Sequence, residues 1–329
     1  LPPTFSVLLW RWFTDPDPAI HAQAYAGTLV LLAASIFAIA AALALGRAVQ
    51  SLLRRAAGSG ERRQYEKPVR LAFGTLLALG CIAGLLAVVG IFIRALSGAW
   101  RFPELFDTNS GSHAWGELVG MGMSVGSSTF MLALATAAIG IALVLWAAES
   151  SRRSATTRRQ VGAFLFLPLL VPQMTFLFGV QVLLVRLNID GTFLAVLWSH
   201  LIFVLPYLWG LLAPARASID PRFDDVAATL GAMPARRWLT ITAPLLSRSL
   251  LLALALAVSV SVALYLPTLF AGAGRIATAA TEAAAAAGSG NLRLASAHAI
   301  LLAMIPFVSF AIVYIARSLV FRHRRGVPQ

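Results

Sequence analysis

Seven apolar runs divide this chain, and each is long enough to cross the ~30 Å hydrocarbon core of a bilayer as a helix. A membrane interior offers no water to unpaired backbone groups, so a chain with several such runs folds as a bundle of spanning helices. Of its 329 residues 59% are hydrophobic and only 12% are charged, which is unlike a soluble domain. The sequence therefore predicts an all-α polytopic membrane protein, with spans near residues 25–46, 69–93, 122–147, 161–185, 192–213, 246–267 and 294–316.

Basic residues are distributed unevenly between these runs. Four segments, 47–70, 148–160, 214–248 and the stretch after 316, hold 20 of the 26 Lys and Arg residues. Segments rich in Lys and Arg lie in the cytoplasm by the positive-inside rule. Seven spans then predict an N-terminus outside and a C-terminus in the cytoplasm. The net charge of +13 is interpreted as a topology signal, and no nucleic-acid partner is expected.

The predicted cytoplasmic segment 220–244 has strong helix signals. Asp220 and Pro221 form a helix start, because Asp caps a helix and Pro fits its first position. Asp224 and Asp225 fall in the first turn, where the helix dipole favours negative charge. An apolar stripe with helical spacing is formed by Phe223, Val226, Ala227 and Leu230.

A second short helix is predicted after a glycine. Gly231 supplies the left-handed residue that ends the first helix, Pro234 starts the second and Pro244 closes it before the next span. The product is a helix–Gly–helix elbow that suits insertion into a groove on a partner. The alternative is an amphipathic helix that lies on the bilayer surface.

The stretch from Asp225 to Pro244 resembles the coupling-loop signature of ABC importer permeases. That signature is Glu-Ala-Ala, three residues, Gly, nine residues, Ile, two residues and Pro. Gly231, Ile241 and Pro244 match in register, while Asp replaces Glu, Val replaces the first Ala and Ala243 stands where Leu is usual before Pro. The resemblance implies an ATPase-coupling role for Asp224, Asp225, Val226, Ala227, Gly231, Arg236, Arg237, Ile241 and Pro244.

The resemblance extends to the six spans of 69–317, which look like a type I importer permease half with a cytoplasmic coupling loop at 214–244. It implies a bacterial inner-membrane location and a bilayer environment. The implied partners are a cytoplasmic ABC ATPase dimer, a periplasmic or extracellular solute-binding protein and a second permease half. The sequence contains no P-loop and no H-E-x-x-H. We therefore expect neither enzyme activity nor a cofactor in this chain, and ATP-Mg on the partner ATPase.

The first residues form a weak internal repeat with a later stretch. Leu-Pro-Pro-Thr-Phe at 1–5 is similar to Leu-Pro-Thr-Leu-Phe at 266–270, and a long span follows each. Residues 1–53 are therefore interpreted as the tail of a preceding permease half, followed by a linker at 54–68. A basic cytoplasmic tail occupies 318–329. The chain is similar to fused two-half permeases of the iron(III)/thiamine-type and related uncharacterised groups. The alternative to a true repeat is that the match between 1–5 and 266–270 is due to chance.

Polar residues within spans are the candidates for a translocation path, because they are costly in a membrane. The four selected are Gln173, Gln181, His200 and Tyr265. Hydrogen bonding between helices is the alternative role for each. No span has an unpaired Asp, Glu or Lys at its centre. This argues against the main alternative class, an ion-coupled secondary transporter, which usually needs a buried ionisable relay. A scaffold without an ATPase partner is a further alternative.

Overall fold

The computed structural model describes residues 4–15, 17–58, 66–96, 112–152 and 154–321. Residues 59–65 of the predicted linker 54–68 and residues 322–329 of the tail 318–329 lie outside these residues. Within the described residues the chain forms thirteen α-helices and one π-helical segment at Trp238–Thr242, and no strand. The helices are α1 (Phe5–Thr14), α2 (Pro18–Gly58), α3 (Glu66–Leu96), α4 (Ser112–Ser150), α5 (Ala155–Leu170), α6 (Gln173–Arg186), α7 (Phe193–Ala217), α8 (Arg222–Thr229), α9 (Pro234–Arg237), α10 (Ala243–Ala263), α11 (Tyr265–Gly272), α12 (Ala279–Gly288) and α13 (Leu292–Phe321).

The long helices confirm the prediction of an all-α polytopic membrane protein. Among the described residues, six helices are long and apolar enough to cross a membrane. The count becomes seven when α5 and α6, joined at a 99° bend, are taken as one span. The seven runs predicted from the sequence coincide with these helices.

The core of the bundle is built around α7, which packs against α4, α10, α5 and α11. Small residues let the helices approach closely. On α4, Ala133 and Ala137 are fully buried, and Gly140 lies against Leu208 of α7. By contrast, α2 and α3 present rows of exposed Leu, Ile and Phe side chains. Lipid tails are as apolar as these side chains, so such faces suit contact with the bilayer.

Two helix breaks interrupt the bundle, and a proline explains each. Val171 is extended, with φ −81° and ψ 138°, because a following proline disfavours the helical conformation. Pro172 therefore separates α5 from α6. The second break is at Leu264, where ψ is 83°. Pro267 has no N–H to donate to the carbonyl of Ala263, so the helix is interrupted between α10 and α11.

The N-terminal pair α1–α2 packs against the six-span part of the chain. Phe13 of α1 stacks on Phe178 of α6, with ring centroids 3.3 Å apart, and Phe178 meets Phe270 of α11 edge to face. In the predicted repeat, one short helix precedes α2, whereas two short helices, α11 and α12, precede α13. The repeat stays a prediction.

Candidate functional site

The first helix of the 220–244 segment begins and ends at its sequence signals. The Asp220 carboxylate accepts a hydrogen bond of 2.9 Å from the backbone N–H of Arg222 at the start of α8. At the other end Gly231 has φ +79°. The N–H groups of Gly231 and Ala232 donate to the carbonyls of Ala228 and Ala227, each at 3.0 Å. This pairing is the Schellman motif, which requires a left-handed residue such as glycine.

The second helix differs from the prediction that Pro244 closes it. Residues Pro234–Ala263 form one run of 30 residues, so α9 continues through the π-helical segment into α10. The Ala243 N–H donates to the carbonyl of Trp238, one residue further back than in an α-helix. Pro244 has no N–H, and its ring would clash with the carbonyl four residues earlier. The wider π turn accommodates it, so the elbow has a single hinge, at Gly231.

An apolar ridge projects from this segment. It consists of Phe223, Val226, Leu230 and Met233, all of them exposed. Leu230 and Met233 are the most open, at 81% and 75% of their full accessible surface. Asp225 and Arg236 are exposed beside the ridge, whereas Ala227 and Ile241 are half-buried. Exposed apolar patches rimmed by charge mark interaction surfaces.

An ion-pair cluster attaches α8 to the ends of two spanning helices. Its members are Glu149, Arg152, Arg216 and Asp224. Asp224 pairs with Arg152, which follows α4, and with Arg216 at the end of α7, the latter at 3.2 Å. Arg216 also donates to Glu149 of α4 at 2.7 Å. The pattern of charges at the ends of apolar runs was the only sequence signal for this cluster, and it did not indicate the pairing.

A cavity of about 770 Å³ lies at the two helix breaks. Gln173, Tyr207 and Tyr265 supply polar groups, and Ser35 of α2 contributes a hydroxyl. Residues of α1, α2, α5, α6, α7, α10 and α11 line it, so it lies between the N-terminal pair and the six-span part. No Asp, Glu, Lys, Arg or His is among these lining residues. Two of the four predicted path residues, Gln173 and Tyr265, therefore line the same cavity.

The other two predicted path residues lie elsewhere. Gln181 lines a separate cavity of about 230 Å³, next to Phe13 and Phe178. Gln173 and Gln181 are eight positions apart on α6, a spacing that places them roughly on one face of the helix. They nevertheless line different cavities. His200, on α7, is buried in the packed interior of the helix bundle.

Both ring nitrogens of His200 are hydrogen-bonded. Nε2 lies 2.8 Å from the Thr268 hydroxyl, which itself donates to the carbonyl of Leu264. Thr268 must therefore accept from Nε2–H, so the neutral ring accepts at Nδ1 from the Ser261 hydroxyl at 2.9 Å. The network connects α7 to α10 and α11 across the break at Leu264. His200 therefore has the alternative role, hydrogen bonding between helices.

Comparison with known proteins gives two informative relatives, while no family model matches the sequence. The chain is 29% identical over 252 residues to the inner membrane ABC transporter permease protein YnjC of Escherichia coli (strain K12). The match covers 77% of this chain but only 43% of YnjC. The chain is also 24% identical over 181 residues to the putative 2-aminoethylphosphonate transport system permease protein PhnV of Salmonella typhi, covering 51% of this chain and 68% of PhnV.

The chain thus spans less than half the length of YnjC, and it is similar to two proteins that are both permeases. The apolar helices described above agree with that similarity. Together the relatives and the helical bundle support an ABC transporter permease that crosses the inner membrane several times.

Proposed function

We propose that this chain is the membrane-spanning permease subunit of an ATP-driven ABC importer. It translocates a small solute that an external binding protein delivers, and the 220–244 segment couples it to a cytoplasmic ATPase dimer that binds ATP-Mg. The exposed ridge from Phe223 to Met233, which leads directly into the continuous helical run Pro234–Ala263, carries this proposal. An apolar helical ridge suits a hydrophobic groove on a partner, and a continuous helix transmits its displacement into the bundle.

The cavity at the two helix breaks is the proposed translocation path. Helix breaks at membrane depth are tolerated where backbone lines a cavity, and Pro172 and Leu264 both border this one. Gln173 and Tyr265 are the polar groups proposed to contact the solute, while His200 joins neighbouring helices. Because the lining residues carry no acidic or basic side chain, selectivity is assigned mainly to the external binding protein.

A second permease half is part of the proposal, in the same polypeptide or as a separate subunit. More than half of the length of YnjC lies outside the match, and this length would accommodate a second permease half. The iron(III)/thiamine-type group of importers, or a related uncharacterised group, is the proposed class, and the second coupling elbow is assigned to the other half. In the proposed orientation the 220–244 segment lies in the cytoplasm and the N-terminus lies outside.

Purification of the full complex from native membranes tests this function. We expect an ABC ATPase to co-purify, and proteoliposomes with the binding protein to take up one of the probes thiamine, ferric citrate, spermidine or 2-aminoethylphosphonate only with ATP. Asp225→Arg combined with Gly231→Trp should abolish ATP-dependent uptake while membrane insertion persists. Asp225 lies beside the ridge, and a tryptophan at φ +79° is strained by about 1–2 kcal/mol.

Asp17→Arg combined with Gly288→Trp is the matched control. Both positions are exposed and distant from the 220–244 segment along the chain, and Gly288 has open space around it. Uptake that survives in the Asp225/Gly231 variant contradicts the coupling role. Uptake driven by an ion gradient without ATP indicates a secondary transporter instead, and the absence of any ATPase partner indicates a scaffold.

A further inference from the structure

We propose that the ion-pair cluster of Glu149, Arg152, Arg216 and Asp224 transmits movement of α8 to α4 and α7. The inference rests on the proposed function, because that function supplies the ATP-driven movement. It assigns positioning roles to Arg152 and Arg216, which lie outside the 220–244 segment.

One carboxylate oxygen holds the cluster together. Oδ2 of Asp224 contacts a guanidinium from the segment after α4 and another from the last turn of α7. Asp224 also uses its backbone carbonyl, which accepts a hydrogen bond of 3.3 Å from Arg237 of α9. A single residue of α8 therefore contacts three other parts of the chain.

The connection to α4 is the informative one. Along the chain α8 is joined to α7 by a short turn and to α9 by the Gly231 hinge, but it has no direct covalent link to α4. Arg152 and Asp224 are 72 positions apart in the sequence. Their ion pair is therefore a non-covalent connection through which a pull on α8 reaches α4.

Burial makes these contacts stronger than ordinary surface ion pairs. The Arg216 side chain retains only 3% of its exposure, and those of Arg152 and Asp224 retain 15% each. Exposed ion pairs contribute little because water screens them. Removing one partner of a buried pair is costly, since the other charge is left without compensation. Arg216 already has one buried, unbonded nitrogen, Nη1, so it depends on Asp224 and Glu149.

The two adjacent aspartates have different surroundings. Asp225 is exposed, and within the described part of the chain no ion pair is found for it. Asp224 is turned toward the spanning helices and is half-buried among arginines. Asp225 is therefore free to face the ATPase, while Asp224 connects the same helix to the bundle.

The first test measures the connection in the permease alone. In a Cys81→Ala background, spin labels at Ser150→Cys on α4 and Thr229→Cys on α8 report the distance between these helix ends; both positions are exposed. We expect Asp224→Asn and Arg152→Gln to broaden and lengthen the distance distribution. Arg152→Lys should retain most of the native distribution, and Arg159→Gln, at an exposed arginine on α5, should leave it unchanged. Native distributions in Asp224→Asn and Arg152→Gln overturn the proposal.

The second test measures transmission in the complex with its ATPase. Labels at Phe130→Cys on α4 and Phe307→Cys on α13, both exposed, report movement of α4 on adding ATP-Mg and vanadate. We expect Asp224→Asn and Arg152→Gln to reduce the shifted population at least about fivefold, the lower end of typical coupling between sites. Vanadate trapping by the ATPase should persist in both variants.

These outcomes separate the two proposals. A native shift of α4 in variants whose α8–α4 distance has broadened shows a purely structural role and overturns the transmission proposal. A native complex that contains no ATPase overturns the proposed function, and the distance measurement in the permease alone still decides whether the cluster holds α8 against α4.

Discussion

At the scale of single residues, side chains that look alike in the sequence have different surroundings in the structure. Asp224 and Asp225 are neighbours in one helical turn, yet one lies among arginines and the other faces solvent. His200 belongs to the same class of intramembrane polar residues as Gln173, yet its ring is buried and bonded at both nitrogens, whereas Gln173 lines a cavity. Polar residues of a spanning helix thus divide into those that join helices and those that border open space.

The His200 network makes a prediction about stability. His200→Leu removes two hydrogen bonds that join α7 to α10 and α11, so the free energy of unfolding in micelles should fall by about 1–3 kcal/mol. Ser259→Ala is the control, because that hydroxyl bonds the carbonyl of Ala255 within its own helix. It should change the unfolding free energy by less than about 0.5 kcal/mol. Equal stability of the two variants would show that the network contributes nothing.

At the scale of helices, close packing and proline positions decide the arrangement. The contact of α4 with α7 depends on a glycine, because a Cβ added at Gly140 meets Leu208 Cδ1 at 2.8 Å. The breaks at Pro172 and near Pro267 face the same cavity, and the π turn before Pro244 keeps α9 and α10 continuous. These three prolines therefore have two different outcomes, a helix break beside a cavity or a locally widened helix.

The α4–α7 contact predicts a paired effect. Gly140→Val should lower the unfolding free energy by about 1–3 kcal/mol, since the extra methyl groups meet a packed leucine. Adding Leu208→Ala should recover part of this loss relative to Leu208→Ala alone, because it removes the atom in conflict. Gly126→Val on the same helix has open space around it and controls for the change in helix propensity. Additive effects of the Gly140 and Leu208 substitutions would contradict the close contact.

At the scale of the whole molecule, the apolar faces of α2 and α3 and the unequal distribution of charge describe a protein surrounded by lipid. The ion-pair cluster lies at one end of α4 and α7, the end that the basic residues assign to the cytoplasm. The short helix α12 follows the opposite end of α10. The 220–244 segment and α12 therefore belong to opposite sides of the proposed membrane.

Labelling with a membrane-impermeant maleimide measures this orientation. In a Cys81→Ala background, Ala287→Cys on α12 should react in cells with a permeabilised outer membrane and an intact inner membrane. Ser218→Cys, just before the 220–244 segment, should react only after the inner membrane is permeabilised. Both positions are exposed in the structure, so access depends on the side of the membrane. The reverse pattern would show that the orientation is inverted.

Local patterns in the sequence determined much of this protein. An apolar run is a property of one contiguous stretch of sequence, so the runs predicted each spanning helix among the described residues. Capping residues act within one turn, so Asp220 and Gly231 predicted the start and end of α8. The family resemblance selected the 220–244 segment for the same reason, because its signature is contiguous.

Only the tertiary structure decided which distant side chains meet. The pairing of Arg152 with Asp224 joins residues 72 positions apart, and no local periodicity specifies such a contact. Gln173 and Gln181 have helical spacing on one helix, yet the packing of other helices around them places them in different cavities. The sequence predicted that Pro244 ends a helix, but the helix continues past it through a π-helical segment. Spans and caps follow from residues that are close together in the sequence, whereas the connection from α8 to α4 depends on how the helices pack.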